Sequence, residues 1–303
     1  MTTAAIITPT AILKMYFFEF DTAASALSLS ILFIPSYYHK RRDYNIIEIM
    51  AKSKTRVITA VVLAVATVLV VLLFLLILAI RTKAIYINDW FVSGSDVRGV
   101  DVSSYQVDVD MKKLAEQDIQ FMYIKATEGI SFVDNYFEAN WQNAAEAGIP
   151  AGAYHYFSFM VDGESQAENY ITSVGESLEG RLIPAVDLEL GENTARPDKA
   201  ELVTELKAFN KVIEEQYGVK PLIYAQKDFY DAYLRDDFAD YPRWVRSVYY
   251  PAAWENGDDW LVWQYKDRGE LQGYSGGEKY IDLNVLNRKY NLDELKVKAT
   301  EAK

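Results

Sequence analysis

Cysteine is missing from this 303-residue chain, and histidine occurs only twice, at His39 and His155. The lack of cysteine excludes disulfides, thiol nucleophiles and cysteine metal sites. Two histidines are too few for a multi-histidine metal centre, and only His155 could act as the base of a Ser-His-Asp triad. We therefore predict that the protein uses no metal and no cofactor. Carboxylates, with 43 Asp and Glu residues, are the abundant acid–base groups that remain.

Basic charge is scarce outside the N-terminal part of the chain. Residues 1–56 hold seven Lys and Arg against four Asp and Glu, whereas residues 81–303 hold 24 against 39, a net charge of −15. Binding to nucleic acid needs a basic face, so an acidic body of this size argues against nucleic acid as a partner. Solubility alone is a sufficient reason for the excess of acid.

Charge, glycine and proline are all absent from residues 57–80 (VITAVVLAVATVLVVLLFLLILAI). At about 1.5 Å per residue this segment reaches about 36 Å, which exceeds a hydrocarbon core of about 30 Å. It has no polar stripe of the kind that a buried soluble helix shows. We predict that residues 57–80 form a transmembrane signal-anchor helix.

The charges that flank this helix predict its orientation. Lys52, Lys54 and Arg56 precede the helix, and only Arg81 and Lys83 follow it closely. Because positive charge favours the cytoplasmic side, we expect a short cytoplasmic segment before the helix and an extracellular domain after it. This arrangement is a single-pass protein of the cell membrane, and the lack of cysteine in an exterior domain points weakly to a Gram-positive bacterium.

The start of the chain is open to two interpretations. Met50 begins MAKSKTRV, a short basic lead that is typical of the start of a signal-anchor protein. We expect translation to begin there, which would make residues 1–49 an artefact of start-site choice. The alternative is a second, weak membrane segment near residues 23–38. Peptides from residues 1–49 in the native protein would contradict the first interpretation.

After the helix, the sequence predicts a linker over residues 81–97, a folded domain over 98–287 and a polar C-terminal tail over 288–303. Short apolar runs alternate with amphipathic stretches in the folded domain, which is typical of an α/β domain with a mainly parallel sheet. Eight runs predict an irregular (β/α) TIM-like barrel. The runs are RGVDV (98–102), FMYIKA (121–126), IPAGAYHYF (149–157), RLIPAVDLE (181–189), KPLIYA (220–225), RWVRSVY (243–249), WLVWQY (260–265) and KYIDLNV (279–285).

Polar and aromatic side chains lie in or at the ends of these runs. The carboxyl ends of barrel strands meet on one face, where active sites are found. We therefore expect these side chains to form one site. They are Asp101, Lys125, His155, Tyr156, Asp187, Glu189, Tyr224, Trp244, Gln264 and Asp282.

The segment AVDLEL carries the strongest local signal. Side chains alternate along a strand, so Asp187 and Glu189 should point to the same side. Two neighbouring carboxylates resist joint ionisation, so the pKa of one should rise. Glycoside hydrolysis needs such a pair, with one protonated acid and one ionised group. The pattern D-x-E is common, however, and the two residues could be solvated acids at a strand edge.

Seven motifs in the order GVDVSSYQ (99–106), YIKATEG (123–129), AGAYHYF (151–157), AVDLE (185–189), LIYA (222–225), WQY (263–265) and YIDLNVL (280–286) resemble those of the family 25 glycoside hydrolases. These enzymes are the Chalaropsis-type lysozymes, or N-acetylmuramidases. The resemblance spans about residues 98–287 and implies a modified (β/α) barrel.

The resemblance also implies roles for individual residues. Glu189 corresponds to the catalytic acid/base of the family and Asp187 to its companion aspartate. The remaining matches are substrate-binding residues that line the site, with Trp244 and Gln264 the looser matches. They are Asp101, Asp282, Tyr154, Tyr156, Tyr224, Trp244 and Gln264. The chain departs from the family after SSYQ, where Val107 stands in place of the usual glycine, and Asp110–Met111 in place of an aspartate–tryptophan pair.

By this resemblance the expected reaction is hydrolysis of the β-1,4 bond between N-acetylmuramic acid and N-acetylglucosamine in peptidoglycan. The expected partners are peptidoglycan glycan strands and, through one helix, the membrane; the sequence does not identify protein partners. We favour attack by the acetamido group of the substrate, with Asp187 steadying that group. Inverting attack by water and a covalent glycosyl-enzyme remain open.

Other interpretations remain open for the domain as a whole and for single residues. It could be a non-catalytic peptidoglycan-binding module on a glycosidase fold, or a lysozyme-like chitin hydrolase. His155 is expected to be a structural histidine. Lys125 could bind a site carboxylate or form a structural ion pair. Tyr249, Tyr250 and Trp254 could be platforms for sugar rings or ordinary packing residues.

Overall fold

The computed structural model of the protein describes residues 40–191 and 196–298. The chain divides into two compact units, Met1–Leu73 and Phe74–Lys303. The proposed second membrane segment near residues 23–38 lies outside the described residues.

A single helix, α1, runs through Lys40–Arg81 and contains the whole predicted signal-anchor segment. Its apolar side chains are exposed throughout residues 47–78. Within the described part of the chain, Ile47–Arg81 is the one helix that is long and apolar enough to cross a membrane. Length and composition therefore allow α1 to span a bilayer.

The second unit contains a closed barrel of eight strands. The strands pair in the order β1-β9-β8-β7-β6-β5-β4-β2, and β1 also pairs with β2, which closes the barrel. All of these pairings are parallel except those of β9, which is antiparallel to both β1 and β8. The predicted (β/α) barrel is confirmed. The strands are β1 Arg98–Val102, β2 Phe121–Glu128, β3 Phe132–Val133, β4 Ala151–Tyr156, β5 Ala185–Asp187, β6 Leu222–Gln226, β7 Arg243–Arg246, β8 Val262–Gly269 and β9 Ile281–Leu286.

Helices of very unequal length connect the strands, so the barrel is irregular, as expected. Two-residue β3 pairs only with β2 and takes no part in closure. The helices are α2 Met111–Ala115, α3 Phe137–Ala147, α4 Gly163–Val174, α5 Lys199–Tyr217, α6 Lys227–Phe229, which continues as a π-helical turn Tyr230–Leu234, and α7 Ala252–Asn256; Ile87–Trp90 and Leu292–Leu295 form 3-10 helices.

Local sequence signals set the ends of the longer helices. Asp162 and Asp198 are the N-caps of α4 and α5, and their side chains accept backbone N–H bonds that the first helical turn leaves open. Gly148 and Gly218 end α3 and α5 in the left-handed conformation, with φ of 68° and 70°. These caps fix where each helix leaves the barrel wall and returns to the next strand.

The loop after β1 carries backbone strain at the point where the sequence departs from the family pattern. Val107 has a φ of 58°, in the left-handed region that glycine adopts freely and a β-branched residue rarely does. Asn140, from α3, donates a hydrogen bond of 3.0 Å to the Val107 carbonyl. The valine is therefore held where the usual family glycine would be free of strain.

Residues outside the predicted barrel boundaries also pack on the barrel. Asn88, fully buried, donates hydrogen bonds of 2.8 Å to the carbonyls of Ser247 and Tyr265. At the other end, Leu295 is fully buried, and its carbonyl accepts a 2.7 Å bond from the Ile183 N–H. Much of the predicted linker and of the polar tail is thus structured against the barrel, because each supplies buried contacts.

Candidate active site

A cavity of about 590 Å³ opens at the end of the barrel where the parallel strands have their carboxyl ends. All nine residues to which the family resemblance assigned a catalytic or substrate-binding role line it. Three of its carboxylates, those of Asp101, Asp187 and Asp282, come from strands, and that of Glu189 comes from the loop after β5. The nine are Asp101, Tyr154, Tyr156, Asp187, Glu189, Tyr224, Trp244, Gln264 and Asp282.

The antiparallel direction of β9 explains why Asp282 reaches this mouth although it lies near the start of its strand. The N-terminal end of an antiparallel strand lies beside the carboxyl ends of its neighbours. Asp282 is accordingly paired with Asp101 of β1 in the sheet register. Like charges directly opposite each other are unfavourable, so this pair costs stability and suits a functional site better than a structural one.

Asp187 and Glu189 both line the cavity, and Asp187 is the last residue of β5. The Oδ1 atom of Asp187 is buried and has no hydrogen-bond partner among residues 40–191 and 196–298. Burial of its carboxyl, together with the charges of Glu189 and Asp101, raises the pKa of Asp187 well above its usual range. The rise of one pKa in this pair agrees with the expectation from the sequence.

Asp101 is held very differently from Asp187. Its Oδ1 accepts a 3.0 Å hydrogen bond from Gln264 Nε2 and a 2.7 Å bond from Asn284 Nδ2. Burial raises the pKa of Asp101, and these two bonds oppose the rise because they stabilise the ionised form. The carboxyl is therefore fixed in place by its neighbours.

Two further hydrogen bonds orient the amides that hold Asp101. Tyr224 OH donates to Gln264 Oε1 at 3.0 Å, and Trp244 Nε1 donates to Asn284 Oδ1 at 2.8 Å. Since each amide oxygen is occupied, each amide nitrogen is left to face the carboxylate. Residues from β8 and β9 thus donate to Asp101 Oδ1 of β1, and residues from β6 and β7 orient those donors.

The pKa of Asp282 is raised by burial and by neighbouring negative charges. Burial is the main cause, and the charges of Asp101 and Asp267 add to it, so the pKa lies well above the usual range. The positive charge of Arg246 opposes this rise. A site crowded with carboxylates therefore binds protons above the pH at which isolated acids lose them.

Aromatic rings form the floor of the cavity. Trp244 is only 2% exposed and its ring centroid lies 4.8 Å from that of Tyr123 and 4.9 Å from that of Tyr224. Such a ring supports the site from below and has little free face for stacking on a sugar. Burial also raises the pKa values of Tyr154 and Tyr224 well above their usual range, so both remain neutral hydrogen-bonding groups.

Three cationic side chains line the cavity among the acids, those of Lys125, Arg246 and Arg268. Lys125 lines the cavity, and its ammonium pairs with Glu128 at 2.7 Å and lies 4.8 Å from the centroid of the Tyr156 ring. Arg246 also lines the cavity, and its guanidinium donates to Asp267 at 2.9 Å. Sequence reasoning left Lys125 undecided and missed Arg246.

Arg246 and Asn284 could have been found from strand alternation. Arg246 lies two positions after Trp244, and Asn284 lies two positions after Asp282, so each shares a strand face with a predicted site residue. No comparable local signal marks Asp267, because the register of β8 shifts between Gln264 and the end of that strand.

His155 is structural, as expected. Its Nδ1 lies 2.8 Å from Thr127 Oγ1 and its Nε2 lies 3.1 Å from Gln166 Oε1, while its ring stacks on Phe209 with centroids 5.1 Å apart. Burial lowers the pKa of His155 to about 4, so it is neutral at neutral pH. Like Tyr249, Tyr250 and Trp254, it does not line the cavity.

An eight-stranded (β/α) barrel with paired carboxylates at its mouth has the groups that a glycoside hydrolase needs. Residues 100–274 match the family model of glycosyl hydrolases family 25, and the chain belongs to that family.

Known proteins agree with this assignment. A solved family 25 glycosyl hydrolase from Bacillus anthracis is 38% identical, with a TM-score of 0.61 over 69% of this chain and 96% of that chain. The uncharacterized protein YegX of Escherichia coli K12 is 36% identical over 197 residues, which are 63% of this chain and 70% of that protein. Lysozyme M1 of Streptomyces globisporus is 29% identical over 204 residues, 64% of this chain and 68% of that protein.

Proposed function

We propose that this protein is a membrane-tethered lysozyme that hydrolyses the β-1,4 bond between N-acetylmuramic acid and N-acetylglucosamine in peptidoglycan. The observation that carries the proposal is the convergence of Asp101, Asp187, Glu189 and Asp282 on one open cavity. Membership of family 25 and the lysozyme among its relatives support peptidoglycan as the substrate. The cavity is large enough to take part of a glycan chain.

Glu189 is the acid/base of the proposed reaction. It donates a proton to the glycosidic oxygen as the bond to the anomeric carbon breaks, and then takes a proton from the water that completes hydrolysis. Its place in the loop after β5, beside Asp187 and on the cavity surface, gives it access to a bound glycan.

Asp187 positions the acetamido group of the substrate. The amide N–H of that group would donate a hydrogen bond to the Asp187 carboxyl, which lines the cavity. Such a bond favours the ionised carboxylate and so counteracts the raised pKa. The acetamido oxygen then attacks the anomeric carbon, and the cyclic intermediate is opened by water. Asp101 and Asp282 border the same space and bind sugar hydroxyl groups.

Replacing Glu189 by Gln in the full chain tests the function. We expect the rate to fall by about 10² to 10⁴-fold, because the amide keeps the shape of the side chain but cannot donate or accept the proton. The measurement is digestion of purified peptidoglycan, with the new reducing ends identified by mass spectrometry. The reducing ends should be N-acetylmuramic acid.

Glu215→Gln on α5 is the matched control, since Glu215 is exposed and only pairs with Lys211 on the same helix. It should keep full activity. Near-normal hydrolysis by the Glu189 variant would contradict the assignment of the acid/base. N-acetylglucosamine reducing ends, or cleavage of chitin oligomers alone, would contradict the proposed substrate.

The tether places the enzyme beside its polymer. The apolar length of α1 supports a membrane span, and Lys52, Lys54 and Arg56 before it favour a cytoplasmic N-terminal side. Because the native chain has no cysteine, one introduced cysteine reports its own location. In intact cells a membrane-impermeant maleimide should label Glu116→Cys and spare Lys54→Cys; the reverse result would contradict this orientation.

A further inference from the structure

Lys83, two residues after the end of α1, has an unusual backbone conformation. Lys83 has a φ of 59°, and the bonds Lys83 N–H to Ile80 O (3.0 Å) and Ala84 N–H to Ala79 O (2.9 Å) close the end of the helix. This pattern is the Schellman motif, whose left-handed position is usually glycine because glycine has no Cβ to clash. A lysine at this position is strained, so its side chain is the feature to explain.

The side chain of Lys83 joins a buried ionic cluster. Its ammonium pairs with Asp267 Oδ2, to which Arg246 Nη2 also donates at 2.9 Å, and Tyr86 OH donates to Asp267 Oδ1 at 2.9 Å. The side chains of Lys83, Asp267 and Arg246 are only 16%, 11% and 24% exposed. We name these three residues the 83–267–246 triad. Two cations share one carboxylate, so the triad keeps a net positive charge.

The segment that carries Lys83 is fixed to the barrel by further contacts. Asn88 bonds the carbonyls of Ser247 and Tyr265, the residues next to Arg246 and near Asp267. Asp89 pairs with Lys266 at 2.8 Å. The position of the Lys83 ammonium is therefore set by the tertiary structure, and it does not depend on a loose linker.

The triad reaches the active site through Arg246 and Asp267, both of which line the catalytic cavity. Charged and titratable groups from every neighbouring strand face Arg246: Asp101 of β1, Glu189 after β5, Asp187 at the end of β5, Tyr224 of β6, Asp267 of β8 and Asp282 of β9. The positive charge of Arg246 lowers the pKa values of Asp101, Asp187 and Asp282 against the effect of burial.

We propose that Lys83 is a positioning residue for catalysis, which acts from outside the family-matched residues by holding Asp267 and thereby Arg246 against the catalytic carboxylates. This inference rests on the proposed glycosidase activity of the same cavity. Lys83, two residues after the end of α1, thus contributes to the charge of the active site. Lys83 does not touch substrate.

The charges of Lys83 and Asp267 should shift the pKa values of the cavity carboxylates in opposite directions. Loss of the Lys83 charge leaves Asp267 to neutralise Arg246 alone, so the carboxylates lose positive potential and their pKa values rise. Loss of the Asp267 charge does the opposite, because Asp267 itself raises the pKa of Asp282. Removal of both charges should return the pKa values close to those of the native protein.

The test compares Lys83→Met, Asp267→Asn and the double variant in the full chain, purified in detergent micelles. The substrate is a soluble tetrasaccharide of alternating N-acetylmuramic acid and N-acetylglucosamine. We expect both limbs of the pH profile of kcat/KM to move up by about 0.5 pH unit in Lys83→Met and down by a similar amount in Asp267→Asn. The double variant should lie near the native profile.

Two further variants separate the charge from the docking of the segment. Lys83→Arg keeps the charge and should keep the native profile. Lys266→Met removes the ion pair of Asp89, in the same docked segment, without touching Asp267, and should leave both limbs in place. Equal shifts in Lys266→Met and Lys83→Met, or lower rates without moved limbs in both single variants, would overturn the proposal.

A second measurement needs no substrate, so the inference can fail independently of the proposed function. Carboxylates whose pKa values are raised by folding destabilise the folded state as pH rises above about 4. The melting temperature of Lys83→Met should therefore fall more steeply between pH 4 and pH 8 than that of the native protein, and that of Asp267→Asn less steeply. Identical slopes would overturn the inference, whereas an inactive native protein would overturn the proposed function.

Discussion

Asp101 and Asp187 are carboxylates of the same cavity, yet their surroundings are opposite. Two side-chain amides donate to Asp101 Oδ1, at 3.0 and 2.7 Å, whereas Asp187 Oδ1 is buried without a partner in the described part of the chain. Burial is the largest cause of a raised pKa at both residues, but only at Asp101 do hydrogen bonds oppose it. The Asp101 carboxyl is held by two side-chain amides, whereas Asp187 Oδ1 has no hydrogen-bond partner among the described residues.

The position of each residue in the barrel accounts for this difference. Asp101 lies within β1, which pairs with β9, and β9 pairs with β8. The amides of Asn284 on β9 and Gln264 on β8 are therefore within hydrogen-bond distance of its carboxyl. Asp187 is the last residue of β5, and the chain beyond it carries Glu189 into the cavity. Asp101 therefore has amide donors within reach on the neighbouring strands, whereas Asp187 has the carboxylate Glu189 two residues further along the chain.

Asp187→Asn, at the carboxylate that no amide holds, should have the largest effect on activity. We expect kcat to fall about 10²-fold, because a neutral amide cannot stabilise the positive charge that develops at the sugar and its acetamido group. Stability should change in the other direction. The raised pKa means that folded-state stability is complete below about pH 4 and is lost as pH rises through the folded-state pKa.

The asparagine side chain is neutral at every pH, so the melting temperature of Asp187→Asn should decline less between pH 4 and pH 8 than that of the native protein. Differential scanning calorimetry across this range, with kcat measured at each pH, checks both effects. A stable variant with native kcat would show that Asp187 does not assist the reaction. A steeper pH dependence of melting than in the native protein would show that its pKa is not raised.

Asn284→Ala, which removes one of the amides that hold Asp101, should have a smaller effect. It removes one donor to Asp101 and the acceptor of Trp244 Nε1, at a cost of about 1–3 kcal/mol in the free energy of unfolding. The pKa of Asp101 should rise further, because one of the bonds that oppose its rise is lost. Denaturant unfolding and the pH profile of kcat/KM are the measurements.

Asn287→Ala is the matched control for this variant. Asn287 is also buried and donates to the Trp260 carbonyl at 2.8 Å, but it does not contact the cavity. Both variants should lose stability, and only Asn284→Ala should alter the pH profile. The contrast between Asp101 and Asp187 would lose its physical basis if the two alanine variants behaved alike.

Val107→Gly should have the smallest effect and extends the comparison to the loop after β1. The left-handed φ of Val107 costs roughly 1–2 kcal/mol, and the extra chain entropy of glycine offsets about half of the gain. We expect the free energy of unfolding to rise by about 0.5–1 kcal/mol. Val133→Gly, at an exposed position of β3, is the control and should lower it. Equal losses in urea denaturation of the two variants would argue against strain at Val107.

Much of the site was predictable because strand alternation and barrel topology constrain it. Once the strands were assigned, the carboxyl ends of the parallel strands had to meet, and Asp187 and Glu189 were spaced to share a face. Asn284 and Arg246 were within reach of the same reasoning. The sequence did not predict that Lys83 and Arg246 share the carboxylate of Asp267, because Lys83 and Asp267 lie 184 positions apart.

The sequence by itself determined the apolar helix, the alternation that closes a barrel and the carboxylates at its mouth, because these depend on local composition and on periods of two and 3.6 residues. The tertiary structure alone decided which carboxylate is held by amides, which is left open, and that residues 82–97 pack on the barrel and bring a cation to Asp267. Those outcomes depend on burial and on contacts between distant segments, which spacing along the chain does not encode.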